Sequence, residues 1–222
     1  DAYCKQNNII AEFARLHPFI ANHFWKAVHY EHDIFFIDLT QSEDEIWKGF
    51  DKGCKSTIKQ AVRNSLISRQ DTNLAGFVSM YEETMAKDKA SLNYYFNEGF
   101  WVKLYHLGNL MRVTDKEGNP VAIAVFLVHG DYCHYFLSAT TGLSGATNLL
   151  LWETIKWAKS QGCKIFNLGG GLKEGDKLES FKRSFSHNSK PFYTYRKIHN
   201  QKVYDELSRG IGATSNDDGF FP

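Results

Sequence analysis

Apolar positions in this chain keep two different rhythms. Ile34-Phe-Phe-Ile-Asp-Leu39 is β-branched and aromatic throughout and predicts a strand. Over 43–65, Trp47, Phe50, Cys54, Ile58 and Ala61 recur at helical spacing and predict one helix, capped by Thr40 or Ser42 and acidic in its first turn (Glu43, Asp44, Glu45). Further helices are expected over Asn8–Leu16, Leu74–Met85, Tyr95–Leu104, Asn148–Gln161 and Val203–Ser208. Strands are expected over Leu110–Thr114, Val121–His129, Tyr132–Ala139, Ile165–Leu168 and Phe192–Ile198. Asp115–Asn119 and Gly130-Asp131 separate the middle strands as hairpin turns, so Val121–His129 becomes a central strand, apolar on both faces. Strand, helices, antiparallel meander, helix, strand, helix, strand is the order of an α+β (mixed α/β) domain with a mixed, mostly antiparallel sheet flanked by helices.

The 222 residues, 43% hydrophobic, suffice for one large domain or one domain with an appendage. We expect 1–33 to be an N-terminal segment, the end of a truncated preceding domain, then the main domain at 34–209 and a frayed tail at 210–222. The first residue, Asp1, is consistent with a processed product or a piece of a longer chain. Basic and acidic residues nearly balance, 26 against 25, so no global field points to DNA. The longest apolar run, Val121–Val128, is far too short for a transmembrane segment, and no signal peptide is visible. Cys4, Cys54, Cys133 and Cys163 are too scattered for a zinc or redox pair and read as reduced thiols of a cytoplasmic protein.

Local charge is more informative. Lys48, Lys52, Lys55, Lys59 and Arg63 recur opposite the apolar stripe of the 43–65 helix. Such a row is either a solvated face or a docking ridge for a phosphate-bearing ligand such as a nucleotide diphosphate or tRNA. A strand running into Gly169, Gly170 and Gly171, then a loop and helix, invites a P-loop reading. Asp176 excludes it, because a carboxylate stands where phosphate would need the helix start, and the lysine does not directly follow Gly175. Asp176 and Glu179 look like a capping pair instead. No Gly-x-Ser-x-Gly elbow, thiolate-forming pair or histidine metal motif is present. What remains is Lys182 between Phe181 and Phe185, a cation suited to a developing oxyanion.

Several segments together resemble one family: Ile10–Pro18, Phe36–Thr40 with the basic helix, Asn148–Ala158, Phe166–Gly171 and Leu178–Phe185 look like FemAB-type transferases of the GNAT superfamily, over most of 8–199. The resemblance implies a GNAT-like N-acyltransferase fold, usually duplicated. It also implies transfer of an acyl or aminoacyl group, from acyl-CoA or aminoacyl-tRNA, to an amine of a peptidoglycan (cell-wall) precursor, a nucleotide-sugar or another amino sugar. By the same resemblance Phe181 and Lys182 are the catalytic pair, Arg15 a substrate-phosphate contact, and Lys55, Lys59 and Arg63 the basic helix. Tyr95, Asn148, Trp152 and Gly169–Gly171 complete the expected substrate-binding set, with no metal. Two departures stand out. One GNAT-like domain implies a fragment, or a homodimer whose partner supplies the missing wall. The loop Gly142–Thr147 lacks the leading Gln or Arg of a coenzyme-A loop, and Phe181 stands where ordinary members often carry a tyrosine acid. The alternatives are an acetyl-CoA-dependent acetyltransferase and a non-catalytic GNAT-like binding module.

Overall fold

The computed structural model describes residues 2–20, 28–171 and 173–210. In chain order they form α1 (Ala2–Gln6), β1 (Ala11–Arg15), β2 (Val28–Asp38), α2 (Glu43–Gly49), α3 (Lys52–Arg63), β3 (Ile67–Asp71) and α4 (Leu74–Lys87). After a 3-10 turn (Leu92–Tyr94) come α5 (Glu98–Leu107), β4 (Gly108–Thr114), β5 (Pro120–His129), β6 (Tyr132–Thr140), α6 (Ala146–Ser160), β7 (Ile165–Gly169), α7 (Lys177–Arg183), β8 (Ser189–Ile198) and α8 (Gln201–Gly210). Two compact units result: Ile34–Ser189, and Asp1–Asp33 together with Lys190–Pro222. Of the expected tail, 211–222 lie outside the described residues.

In the Ile34–Ser189 unit the strand order is β2-β7-β6-β5-β4-β3. Every neighbouring pair is antiparallel except β6 and β7, so the sheet is mixed and mostly antiparallel, as expected. Successive residues of β5 face opposite sides of a sheet. Ala122, Ala124 and Phe126 enter a cluster with α2, α3, α6 and Phe185, while Ile123 and Val125 enter another with Phe77, Tyr81, Trp101 and Leu104 of α4 and α5. This explains why the β5 sequence is apolar without alternation.

The helix expected over 43–65 is two helices. Ser42 opens α2 in a capping box: its Oγ accepts from Glu45 N–H, and Glu45 Oε2 accepts from Ser42 N–H at 2.8 Å. Phe50 then turns extended (φ −70°, ψ 147°) and Asp51 becomes the N-cap of α3. The cause is tertiary: Asp51 N–H donates to Ser184 O at 2.9 Å, while the Phe50 ring is buried 5.1 Å from Phe185 and 5.4 Å from Trp152. The apolar stripe survives the break, with Phe50, Cys54, Ile58 and Ala61 all buried. The cationic row does not survive as one ridge: Lys48 is left on α2, and Lys55 Nζ donates to its carbonyl at 3.1 Å.

The other unit corrects a second expectation. Asn8–Leu16 is not a helix. Asn8 takes φ 52°, ending the α1 segment, and Ala11–Arg15 pair antiparallel with Ile198–Thr194 of β8. A full ladder with a distant strand outweighs weak helical periodicity. β3 was not anticipated, and α5 begins later than expected because Asn97 caps it by accepting from Phe100 N–H at 3.0 Å. All four cysteines are free and buried. Among the described residues no helix is long and apolar enough to cross a membrane.

One glycine shows how tightly α6 starts. Gly145, its N-cap, has φ +82°, and a Cβ there would lie 3.0 Å from both Ala61 Cβ and Thr57 O. Gly145→Ala is therefore expected to lower stability by about 1–3 kcal/mol, read as a lower urea midpoint at unchanged slope.

Candidate active site

The parallel partners β6 and β7 stay together only briefly. Tyr132, Cys133 and His134 face Ile165, Phe166 and Asn167, and there the pairing ends, although β6 runs on to Thr140 and β7 to Gly169. The β5–β6 register jumps between Phe126↔Tyr135 and Val125↔Leu137, so Phe136 is an extra residue in β6. Such a bulge bends and twists its strand. Just past their last pair β6 and β7 run on without pairing to each other, which leaves a gap in the ladder between them. Asn167 braces the vertex. Its Oδ1 accepts from Gly169 N–H at 2.8 Å, which points Nδ2 at His134 Nδ1, 3.1 Å away. With Nδ2 donating, Nδ1 is an acceptor and cannot carry the ring proton.

Lys182 reaches the end of β7 from α7. Asp176 caps this helix, its carboxylate accepting from Glu179 N–H at 2.7 Å and Lys173 N–H at 3.0 Å. Glu179 accepts in turn from Gly175 N–H at 2.7 Å. Lys182 is only 8% exposed, and its Nζ donates to Gly170 O at 2.6 Å. Burial pushes its pKa down to about 8, against the opposing pull of Asp176. Gly169 has φ +75°, and a Cβ there would stand 3.1 Å from Lys182 Nζ. At Gly171 a Cβ would stand 2.6 Å from Asp176 Oδ1. The glycines thus admit the lysine and the helix cap to the strand end. Phe181 is half-buried, its ring edge-on to Phe185 at 5.4 Å.

Two further features lie within the same unit. The start of α6 has no side-chain cap, and Lys87 Nζ stands 3.4 Å from a Cβ built at Gly142 in the loop before it. On the outer side of α3 and α6, Lys59, Arg63 and Trp152 line a cleft of about 360 Å³ together with Trp47. The two indoles are 5.1 Å apart, and Lys59 Nζ lies 6.0 Å from the Trp47 ring centre.

The acetyltransferase (GNAT) domain family matches residues 60–183, which run from α3 through α7 and include the β6–β7 gap and Lys182. The chain belongs to that family. It is an acyltransferase of the GNAT type, and its fold is shared by solved structures of low identity. It is similar to FemX at 13% identity and a TM-score of 0.64, over 93% of this chain and 70% of that one. It is similar to L-PGS from Bacillus licheniformis at 15% and 0.56, over 94% and 69%. The C-terminal domain of a putative lysylphosphatidylglycerol synthetase from Agrobacterium fabrum matches at 13% and 0.53, over 79% and 62%. No curated protein sequence matches the chain.

Not every residue singled out in the sequence meets in this GNAT unit. Lys182 and Gly169–Gly171 meet at the end of β7, with Phe181 beside Lys182 on α7; Lys59, Arg63 and Trp152 meet in the outer cleft. Asn148 turns its Nδ2 to Cys54 Sγ at 3.8 Å, and Lys55 is tied to α2. Tyr95 is exposed beyond the 3-10 turn, near Tyr81 in the α4–α5 layer. Arg15 belongs to the other unit, exposed on β1 and 5.9 Å from the Phe13 ring. Asn167, His134 and Lys87 were not singled out in the sequence, and Trp47, read there as part of the buried stripe, is only partly buried; of these Asn167, polar within an apolar strand, carried a visible signal. Burial raises the thiol pKa of Cys54, Cys133 and Cys163, the opposite of an activated nucleophile.

Lys182 makes the unit's stability depend on pH. A fall from 10.5 to about 8 disfavours the folded ammonium by ~3 kcal/mol. Between those values the unfolded chain binds more protons, so stability rises with pH across that window. Paired urea titrations of wild type and Lys182→Met should show wild type gaining ~3 kcal/mol on the variant between pH 7 and 10.5; parallel curves would contradict the burial argument.

Proposed function

We propose that this chain transfers an aminoacyl or other acyl group from an activated carrier to an amine of a cell-wall precursor or amino sugar, by direct attack. The observation that carries the reading is the Lys182 ammonium, buried at the mouth of the gap between β6 and β7. An ammonium has three N–H donors, of which Gly170 O takes one. The others are available to a carbonyl oxygen held in the gap. The neutral amine attacks the acyl carbon, a C–N bond forms, and the carbonyl electrons move onto oxygen. Lys182 holds that oxyanion. Collapse breaks the bond to the carrier, and the amine's proton leaves to the carrier atom or to water. His134, with Nδ1 accepting from Asn167, orients the vertex rather than taking the proton.

Two groups of residues would suit an activated carrier that bears phosphate. The start of α6, which has no side-chain cap, and the Lys87 ammonium near the preceding loop suit one such group. The Trp47–Trp152 cleft with Lys59 and Arg63 suits a base and a phosphate of a nucleotide-bearing substrate. Likeness in fold to FemX and to the putative lysylphosphatidylglycerol synthetase domain favours an aminoacyl donor. The α6 start equally suits the pyrophosphate of acetyl-CoA, which is the second reading; calorimetry with acetyl-CoA separates the two.

Lys182→Ala should lower kcat by roughly tenfold to a thousandfold, the scale of losing one oxyanion donor, while ligand binding persists. Unchanged turnover would place the catalytic cation elsewhere; binding with no turnover in wild type would leave the domain a binding module. Because the protonated lysine is required, wild-type kcat/KM should fall as pH rises through about 8, and that limb should vanish in the variant. Lys59→Glu with Arg63→Glu should raise KM for the phosphate-bearing substrate and flatten its salt dependence, with kcat little changed.

A further inference from the structure

Three side chains unused by this reaction meet in the unit of Asp1–Asp33 and Lys190–Pro222. Cys4 comes from α1, Glu12 from β1, and His199 from just beyond β8. The thiol sulfur, a carboxylate oxygen and a ring nitrogen all lie within 4.8 Å of one another. The backbone assembles them: Ile9 N–H donates to Cys4 O at 2.9 Å, and His199 N–H donates to Ile10 O at 2.8 Å, next to the Glu12↔Lys197 pair. Two of the three are shielded from water, while the Glu12 side chain is 38% exposed. The His199 side chain is 4% exposed with Nε2 2.7 Å from Glu12 Oε2, and Cys4 is 6% exposed.

Thiolate, imidazole and carboxylate are donors that zinc accepts. Magnesium and calcium would want oxygen throughout. Among the described residues this unit's buried apolar side chains are Cys4, Leu16 and Tyr204, and Cys4 is a free thiol. We infer that Cys4, Glu12 and His199 bind a zinc-class divalent ion that ties α1 to the β1–β8 pair, with water in the fourth position. On binding, Cys4 loses its proton, and the Glu12–His199 hydrogen bond is exchanged for two bonds to the ion.

The test is titration of the chelator-stripped full chain with Co(II), followed by displacement with Zn(II). A thiolate-to-cobalt charge-transfer band should grow to a single equivalent, vanish on zinc addition, and be absent in Cys4→Ser. Zinc should raise the melting temperature of wild type and leave that of Cys4→Ser unmoved. Glu12→Gln should bind more weakly with the band retained. A wild-type spectrum with no thiolate band, or an undiminished band in Cys4→Ser, overturns the site. The wild-type spectrum decides the matter even if Cys4→Ser fails to fold, and it does not depend on transferase activity.

Discussion

An ammonium removed from water and held against one backbone carbonyl is the constraint on which the rest of the Ile34–Ser189 unit turns. Such a group is disfavoured unless hydrogen-bonded, and Gly170 O supplies the bond. For Nζ to arrive there, residue 169 must lack a side chain and residue 171 must admit the Asp176 cap. The helix carrying Lys182 must also be fixed in rotation. Phe185 does this by packing on Phe50, and Ser184 does it by accepting from Asp51 N–H. The same two contacts break the preceding helix into α2 and α3. An interruption far from the lysine in sequence is thus part of its mounting.

The second half of the centre comes from the sheet. A parallel pair flanked by antiparallel neighbours is held from outside by β5 and β2, so β6 and β7 can run on without pairing to each other and without either strand unravelling. Asn167 spends its amide on both sides of the vertex, fixing Gly169 and His134 at once. The result is backbone without a strand partner beside a poorly hydrated cation, the combination that acyl transfer by direct attack requires.

Strands with β-branched and aromatic runs, the central position of β5, and the Ser42 and Asp176 caps were legible in the sequence because local chemistry determines them. The α2–α3 break was not, because Phe50 and Asp51 obey contacts with Trp152, Phe185 and Ser184. Ala11–Arg15 read as helix because its ladder partner lies at the other end of the described chain. β3, Ile-Ser-Arg-Gln-Asp, is polar at an edge and carries no apolar alternation to announce it. The candidate site followed the same rule: Lys182 and the glycines were found by proximity in sequence, whereas Asn167–His134 and Trp47–Trp152 are pairings across the fold. The glycines themselves changed meaning, from surfaces for substrate approach to space for the lysine and the cap.

The central claim, a buried Lys182 ammonium that titrates near neutrality, is tested most directly by following lysine Nζ and Cε resonances of isotopically labelled protein by NMR against pH, with Lys182→Met to assign the signal. A single lysine should titrate at about 8, well below the ordinary 10.5. A Lys182 resonance titrating with the bulk of the lysines near 10.5 would mean that the amine is hydrated, and the oxyanion role argued from its burial would fall.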